Sequence, residues 1–170
     1  VLKNQDNVFS KDLPIDRLKL CSGDMFLGEN LGELSVVNEF LNLSGVLADT
    51  VGNHECDTFI DLFADGVKNR KYRFLGANMH PDSDNNMSKV LSNSFIAEVH
   101  GNKYGIIGLS PIDMPDHMKR PEETLPFNIS DMDETVKYLQ QDIDEMKKQG
   151  VNKIILLSHL GLPQIGRAHV

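Results

Sequence analysis

The stretch VLADTVGNHECD, residues 46–57, joins a short apolar run to a cluster of polar side chains. The apolar run predicts a buried strand that ends at Gly52. Asn53, His54 and Glu55 follow immediately, at the carboxyl end of that strand. A turn at this point could have any polar composition, so an amide, an imidazole and a carboxylate in succession indicate a chemical site.

Two other apolar runs end in the same way. LKLCSG, residues 18–23, predicts a strand followed by Asp24, and VNKIILLSH, residues 151–159, predicts a buried strand that ends at His159. Ligands of open α/β sheets bind at the carboxyl ends of strands, so we expect these two residues and Asn53 to converge. Carboxylate, amide and imidazole ligands suit Mn, Fe or Zn better than Ca²⁺.

Each of these residues also has a structural explanation when it is considered alone. Asp24 is then a turn or capping residue, Asn53 holds a left-handed turn, and His159 is an ordinary structural or surface histidine. The occurrence of all three after successive strands favours a metal site.

The rest of the chain predicts an α/β fold. Helical spacing of apolar residues predicts two helices, over residues 31–45 and 57–70. A third helix is predicted over 130–150, because acidic residues stand in its first turn, Lys147 and Lys148 in its last turn, and Gly150 after them. A further strand is predicted over 72–79, a surface loop over 81–88, a hairpin over 94–110 and an irregular Pro-rich stretch over 111–126. Strands that alternate with helices predict a layered, mostly parallel sheet with helices on both faces, and the hairpin adds an antiparallel element.

Two details of these elements can be predicted more closely. Asp57 or Thr58 is expected to cap the second helix, and Gly45 is expected to end the first. Gly101 and Asn102 suit the positive φ angles of a two-residue hairpin turn.

Composition excludes several classes of protein. A formal net charge of -8 has the wrong sign for a protein that binds nucleic acid by neutralising phosphates. No run approaches the roughly 18 apolar residues of a membrane span. Cys21 and Cys56 are too few for a disulfide framework and lack zinc-type spacing, so we expect buried free thiols.

Four motifs carry a resemblance to a known family. SGDMFLG (22–28), VGNHECD (51–57), YGIIGLS (104–110) and KIILLSHLG (153–161) resemble, in order, consecutive motifs of the 5′-nucleotidase group of the calcineurin-like metallophosphoesterases. The resemblance extends from about residue 18 to residue 163. It implies the layered fold of the catalytic domain of that family, and two divalent metal ions drawn from Zn, Mn, Fe and Co.

The resemblance also assigns roles to single residues. It implies that Asp24 bridges two metal ions, that Asn53 and His159 bind the second metal, and that His54 faces the phosphoryl oxygens while Asp57 orients it. Two cations about 4 Å apart lower the pKa of a shared water, so that hydroxide can attack phosphorus near neutral pH. Glu55 is expected to be a hydrogen-bonding partner of the turn.

Some features depart from the family pattern. Cys56 stands where the pattern usually has an aromatic residue, and His80, His100, His117 and His169 match no motif, so we interpret these histidines as surface residues.

The pattern further has an upstream Asp-x-His and a downstream Gly-His-x-His that the chain lacks. We therefore expect residues 1–164 to be a partial catalytic domain, incomplete at both ends, without the C-terminal domain that holds the nucleoside base. The last six residues, IGRAHV (165–170), look like translated sequencing adapter and are expected to be a non-native tail. We expect this polypeptide by itself to bind metal weakly and to be nearly inactive.

The functional hypothesis is a two-metal phosphoester hydrolase that removes phosphate from nucleotides. The alternatives are a 2′,3′-cyclic phosphodiesterase, a nucleotide-sugar diphosphatase, or a non-catalytic surface protein that retains the fold. The resemblance implies a periplasmic, extracellular or cell-surface location.

Overall fold

Nine strands and four α-helices make up the part of the chain that the computed structural model describes, residues 17–27, 30–119 and 127–161. The strands are β1 Leu20–Cys21, β2 Ala48–Thr50, β3 Arg73–Leu75, β4 Met79–Pro81, β5 Leu91–Ser92, β6 Ser94–Val99, β7 Asn102–Leu109, β8 Phe127–Ile129 and β9 Lys153–Ser158. The helices are α1 Leu31–Ser44, α2 Ile60–Gly66, α3 Met87–Val90 and α4 Met132–Lys148, with 3₁₀ helices at His54–Cys56 and Met114–His117.

The strands form three sheets. The first has the order β1-β2-β3-β5 and is parallel throughout. The second has the order β6-β7-β9, in which β7 is antiparallel to β6 and parallel to β9. Strands β4 and β8 form a small antiparallel pair. The predicted α/β class with mostly parallel strands is confirmed, and the strands are divided between separate sheets.

Side chains alternate along the strands and define the layers. Phe74 of β3 packs against α1 and α2, whereas the adjacent Leu75 faces the second sheet. In β7, Ile106 belongs to the same inter-sheet cluster as Leu75, and Ile107 packs with Met146 of α4. The two larger sheets therefore lie face to face, with α1 and α2 outside the first and α4 outside the second. Helices cover both outer faces, as predicted.

Helices α1 and α4 follow their local end signals. Asn30 caps α1 by accepting a hydrogen bond from the Glu33 amide at 3.1 Å, and Gly45 ends this helix with φ 71°. Asp131 caps α4 in the same way, with 2.9 Å from its Oδ1 to the amide nitrogen of Glu134. The first and third predicted helices are confirmed within about two residues.

The second predicted helix is shorter than expected. It covers Ile60–Gly66, and Phe59 rather than Asp57 or Thr58 occupies its N-cap position. The Asp57 carboxylate instead accepts hydrogen bonds from His54 and from the Lys119 amide. The prediction of a cap at Asp57 was therefore wrong, because tertiary contacts use that side chain.

Two further predictions need correction. The strand predicted over 72–79 is split into β3 and β4, because the Asn78 side chain turns to bond the backbone of Ser110. The predicted hairpin is present, but Val99 pairs with Asn102, so its turn residues are His100 and Gly101, with φ of 49° and 77°. The turn is therefore one residue earlier than predicted.

The predicted loop and irregular stretch are largely as expected. Strand β4 ends at Pro81 and α3 begins at Met87, so most of the predicted loop 81–88 connects these elements. The Pro-rich stretch contains the 3₁₀ helix Met114–His117, and residues 120–126 lie outside the described part. The predicted tail 165–170, with His169, also lies outside it. None of the described helices is long and apolar enough to span a membrane.

Candidate active site

The site forms where β1, β2 and β9 end. Asp24 follows β1 in a turn whose two residues, Gly23 and Asp24, both have positive φ, 94° and 59°. Its Oδ1 accepts a hydrogen bond from the His54 amide at 3.1 Å, and its Oδ2 lies 3.1 Å from Nε2 of His159. Three segments that are distant in the sequence are thus joined at one carboxylate.

Glycine is required on two sides of this carboxylate by close packing. A Cβ at Gly23 would lie 2.6 Å from Nδ1 of His159, and a Cβ at Gly52 would lie 2.8 Å from the amide nitrogen of Asp24. Because real Cβ atoms do not approach other heavy atoms this closely, either substitution would displace Asp24 or His159.

His159 is held by the backbone on both sides. Its amide donates to the carbonyl of Leu109 at 2.9 Å, and its Nδ1 lies 2.5 Å from the carbonyl oxygen of Ser22. A carbonyl oxygen only accepts, so Nδ1 carries the proton of this hydrogen bond. In the neutral imidazole the lone pair is then on Nε2, the atom that faces Asp24.

Asn53 lies between the strand end and His54. Its side-chain Nδ2 donates to the carbonyl oxygen of His117 at 2.9 Å. This contact determines which end of the amide is which, because a carbonyl can pair only with Nδ2. The Oδ1 atom is therefore the end of the amide that is available to a cation.

His54 and Asp57 form a tight pair. Nδ1 of His54 lies 2.5 Å from Oδ2 of Asp57, whose side chain is completely buried while that of His54 is 35% exposed. The hydrogen bond to Asp57 raises the pKa of the His54 imidazole, and nearby carboxylates act in the same direction, whereas partial burial opposes them. The pair presents a partly accessible imidazole with a defined orientation.

Glu55 organises the backbone beneath the site. Oε1 accepts hydrogen bonds from the amides of Met25 and Phe26, and Oε2 accepts from those of Asp24 and Gly52. Its side chain is fully buried, and burial raises the pKa of the carboxyl. The expected role of Glu55 as a hydrogen-bonding partner of the turn is confirmed, and it extends to the Asp24 turn as well.

Asp49 is a buried carboxylate that the sequence analysis did not identify. Its Oδ1 accepts a hydrogen bond from the Gly23 amide at 3.0 Å, and Oδ2 has no hydrogen-bond partner among the described residues. Burial, together with the charge of Glu55, raises the pKa of this carboxyl to about 8. The only sequence signal was an acidic residue inside an otherwise apolar strand.

The two cysteines and the histidines outside the candidate site differ in exposure. Both thiols are free; Cys56 is buried and Cys21 is half-buried, so the expectation of burial holds fully only for Cys56. The side chains of His100 and His117 are exposed, as predicted. His80 is only partly exposed, and its Nε2 lies 2.8 Å from Oγ of Ser130, so its assignment to the surface was too simple.

The structure brings together Asp24, His54, Asp57 and His159 through direct contacts, and Asn53 precedes His54 in the same turn. Within residues 17–27, 30–119 and 127–161, no group of three or more His, Cys, Asp or Glu side chains is arranged to hold a metal ion. A surface cleft of about 460 Å³ lies between α2 and α3 and shares no lining residue with this cluster. The candidate site is therefore identified by its carboxylate, amide and imidazole side chains, and not by a cavity.

Comparison with known proteins gives consistent relatives, although no family model matches the chain. The chain is 31% identical over 121 residues to a probable 5′-nucleotidase of Treponema pallidum, an alignment that covers 71% of this chain and 20% of the relative. It is 33% identical over 150 residues to the snake venom 5′-nucleotidase of Naja atra, covering 85% of this chain and 27% of the relative. The chain thus spans about a fifth to a quarter of the length of the curated relatives that it matches.

Solved structures agree in fold. A 5′-nucleotidase precursor from Thermus thermophilus superposes with a TM-score of 0.79 at 26% identity, over 96% of this chain and 31% of that chain. A calcineurin-like phosphoesterase from Bacillus subtilis has a TM-score of 0.67 at 23% identity, over 85% of this chain and 48% of that chain, and supports the fold alone.

Proposed function

Because the chain belongs to the 5′-nucleotidase family of the calcineurin-like metallophosphoesterases, we propose that residues 1–164 are part of the catalytic domain of an enzyme that removes phosphate from nucleotides. The observation that carries this proposal is the Asp24 carboxylate, held between the His54 amide and the His159 imidazole. The pair formed by His54 and Asp57 adds a partly exposed imidazole beside it.

The donor set fits a divalent metal ion. In the neutral His159 ring, the lone pair of Nε2 and the Asp24 carboxylate face each other at 3.1 Å, an arrangement that needs a proton or a cation between them. The Nδ1 contact with a carbonyl is the hydrogen bond that metal-binding histidines usually make with their second nitrogen. We therefore propose Asp24, Asn53 and His159 as metal ligands. A bound divalent ion supplies Lewis-acid activation of the water that attacks phosphorus.

The residues of this chain have separate tasks in that reaction. In the proposed reaction, His54 donates a hydrogen bond to phosphoryl oxygens as negative charge develops on them. Asp57 holds Nδ1 of this ring, so Nε2 is the atom directed away from the pair. Glu55 accepts hydrogen bonds from backbone amides of both loops, which fixes the position of Asp24 relative to His54.

Substrate class and location are proposed from the relatives. The names of the matched proteins support nucleoside monophosphates over cyclic phosphodiesters and nucleotide sugars. We propose that recognition of the base requires a domain outside this chain. The snake venom relative supports the proposal that the enzyme works outside the cell.

The test is phosphate release from AMP by the metal-loaded full-length protein, with cyclic AMP and UDP-glucose as comparison substrates. Replacement of His54 by Ala is expected to lower kcat about 100- to 1,000-fold, because a transition-state donor is lost. Asp24→Ala should abolish metal-dependent activity, and Asp65→Asn, a surface change on α2, should leave it unaltered. Full activity of His54→Ala, or no AMP hydrolysis by the wild type, would contradict the proposal.

A further inference from the structure

A short segment between β7 and β8 touches the candidate site at two points. It consists of the 3₁₀ helix Met114–His117 with Met118 and Lys119, and is called here the 114–119 segment. The carbonyl of His117 accepts from Asn53 Nδ2 at 2.9 Å, and the amide of Lys119 donates to Asp57 Oδ1 at 3.0 Å. Met114 and Met118 are buried in the same cluster as Cys56. The segment is therefore packed beneath the turn that carries the site.

Each oxygen of the Asp57 carboxylate has a different hydrogen-bonding partner. Oδ2 faces Nδ1 of His54, and Oδ1 accepts the Lys119 amide. The Lys119 ammonium is 3.9 Å from Oδ2 and its side chain is 47% exposed. Because the carboxylate is completely buried, no bulk water can replace the amide donor if it is removed. The amide thus determines the rotation of the carboxylate, and the carboxylate determines the orientation of the histidine.

We propose that Lys119 is a positioning residue of the hydrolytic site, whose backbone amide fixes Asp57 in the orientation that holds His54. This inference rests on the proposed function for its effect on catalysis. It assigns a role to a residue far from the motif that carries His54, and that role belongs to the main chain and not to the charged side chain.

A proline substitution tests the amide directly. Lys119→Pro removes the N–H, and the preceding residue, Met118, already has the extended conformation, φ -84° and ψ 153°, that proline demands of its neighbour. In the metal-loaded full-length protein we expect kcat for AMP to fall about 10- to 100-fold with little change in KM. Lys119→Ala keeps the amide and should lower kcat only a few-fold, as expected for loss of a half-exposed charge.

A double-mutant cycle shows whether the amide acts through Asp57. In a protein that already carries Asp57→Ala, adding Lys119→Pro should cause almost no further loss of kcat, because the acceptor is gone. Equal kcat for Lys119→Pro and Lys119→Ala would overturn the inference while leaving the proposed function intact. Multiplicative losses in the cycle would overturn it in the same way.

Hydrogen–deuterium exchange gives a readout that is independent of activity. In the unmetallated chain, Asp57→Ala should speed exchange of the Lys119 amide about tenfold or more, because a buried hydrogen bond is lost. Amides of β7 should keep their rates, which would show that the fold is intact. Asp65→Ala, at an exposed position on α2, is the control and should leave the Lys119 rate unchanged. An unaltered Lys119 rate in Asp57→Ala would overturn the inference whatever the enzyme activity.

Discussion

Glu55 shows how much of the site depends on one buried side chain. Its two carboxylate oxygens accept hydrogen bonds from four backbone amides in two loops. No other described residue makes as many hydrogen bonds in the site. A carboxylate can accept all four, whereas an amide group can accept only on its single oxygen. The Glu55 carboxylate thus fixes the backbone of both loops through hydrogen bonds. The raised pKa of its carboxyl reflects the energetic cost of burying the charge.

Replacement of Glu55 by Gln should therefore destabilise the chain. The Gln side chain would turn an NH₂ group toward amides that need an acceptor, and we expect the free energy of unfolding to fall by about 2 kcal/mol. Urea denaturation measures this change. Glu145→Gln, at an exposed position on α4, is the matched control and should change stability by less than about 0.5 kcal/mol. Equal stability of the two variants would refute this role.

Asp49 gives a prediction about pH. Its pKa in the folded chain is raised from 3.8 to about 8 by burial, so the carboxyl loses its proton more readily in the unfolded chain. The stability that the protonated group contributes is complete below about pH 4 and is lost as the pH rises through about 8. Asp49→Asn cannot ionise and should not show this loss.

Unfolding of both proteins by urea at about pH 5, 6.5 and 8 tests this prediction. The variant should gain stability relative to the wild type as the pH rises, by at most about 1.4 kcal/mol per pH unit. A difference between the two proteins that stays constant over this range would show that Asp49 does not titrate in it.

Among the helices, the N-cap of α4 is the clearest local contribution to the stability of the fold. Asp131 accepts from the Glu134 amide and also places negative charge at the helix N-terminus. Asp131→Ala should lower the free energy of unfolding by about 1 kcal/mol. Asp133→Ala removes a charge from the same first turn but keeps the cap, so thermal or urea unfolding of both variants separates the two effects. A loss no larger in Asp131→Ala than in Asp133→Ala would argue against the cap.

The whole molecule depends on the contact between its two larger sheets. Gly108 of β7 packs against β3, where an added Cβ would lie 2.7 Å from the carbonyl carbon of Leu75. Thr50 strengthens the same interface, since its hydroxyl lies 3.1 Å from the carbonyl oxygen of Leu75 and 3.4 Å from that of Leu157. The sheets carry the strand ends that meet at Asp24 and His159, so their spacing also determines the geometry of the site.

Gly108→Ala should force the sheets apart. Because the atoms that it meets include backbone atoms, we expect a loss of about 1–3 kcal/mol in the free energy of unfolding. Denaturation in urea gives the value, and Ser35→Ala on the exposed face of α1 should stay within about 0.5 kcal/mol of the wild type. A neutral Gly108→Ala would mean that the sheets can adjust their separation without cost.

Features that depend on neighbouring residues could be predicted before the structure was known. Strands that end in Gly-Asp, Gly-Asn-His-Glu and Ser-His, and helices bounded by Gly45 and by an acidic first turn, were readable because their signals are local. These signals were sufficient for the α/β class and for the expectation that Asp24, Asn53 and His159 share one edge. The roles of these residues in binding metal and in catalysis remain predictions.

The distant backbone groups that each polar side chain contacts became clear only in the folded chain. The Asp57 carboxylate accepts a hydrogen bond from the Lys119 amide instead of capping α2. The Asn53 side chain donates to the carbonyl of His117, and Glu55 accepts hydrogen bonds from two loops. Backbone amides and carbonyls are the same in every residue, so no sequence pattern marks the ones that a side chain will reach. Their positions follow from the packing of two sheets, which brings together segments up to 137 residues apart, as in the contact of His159 with Ser22.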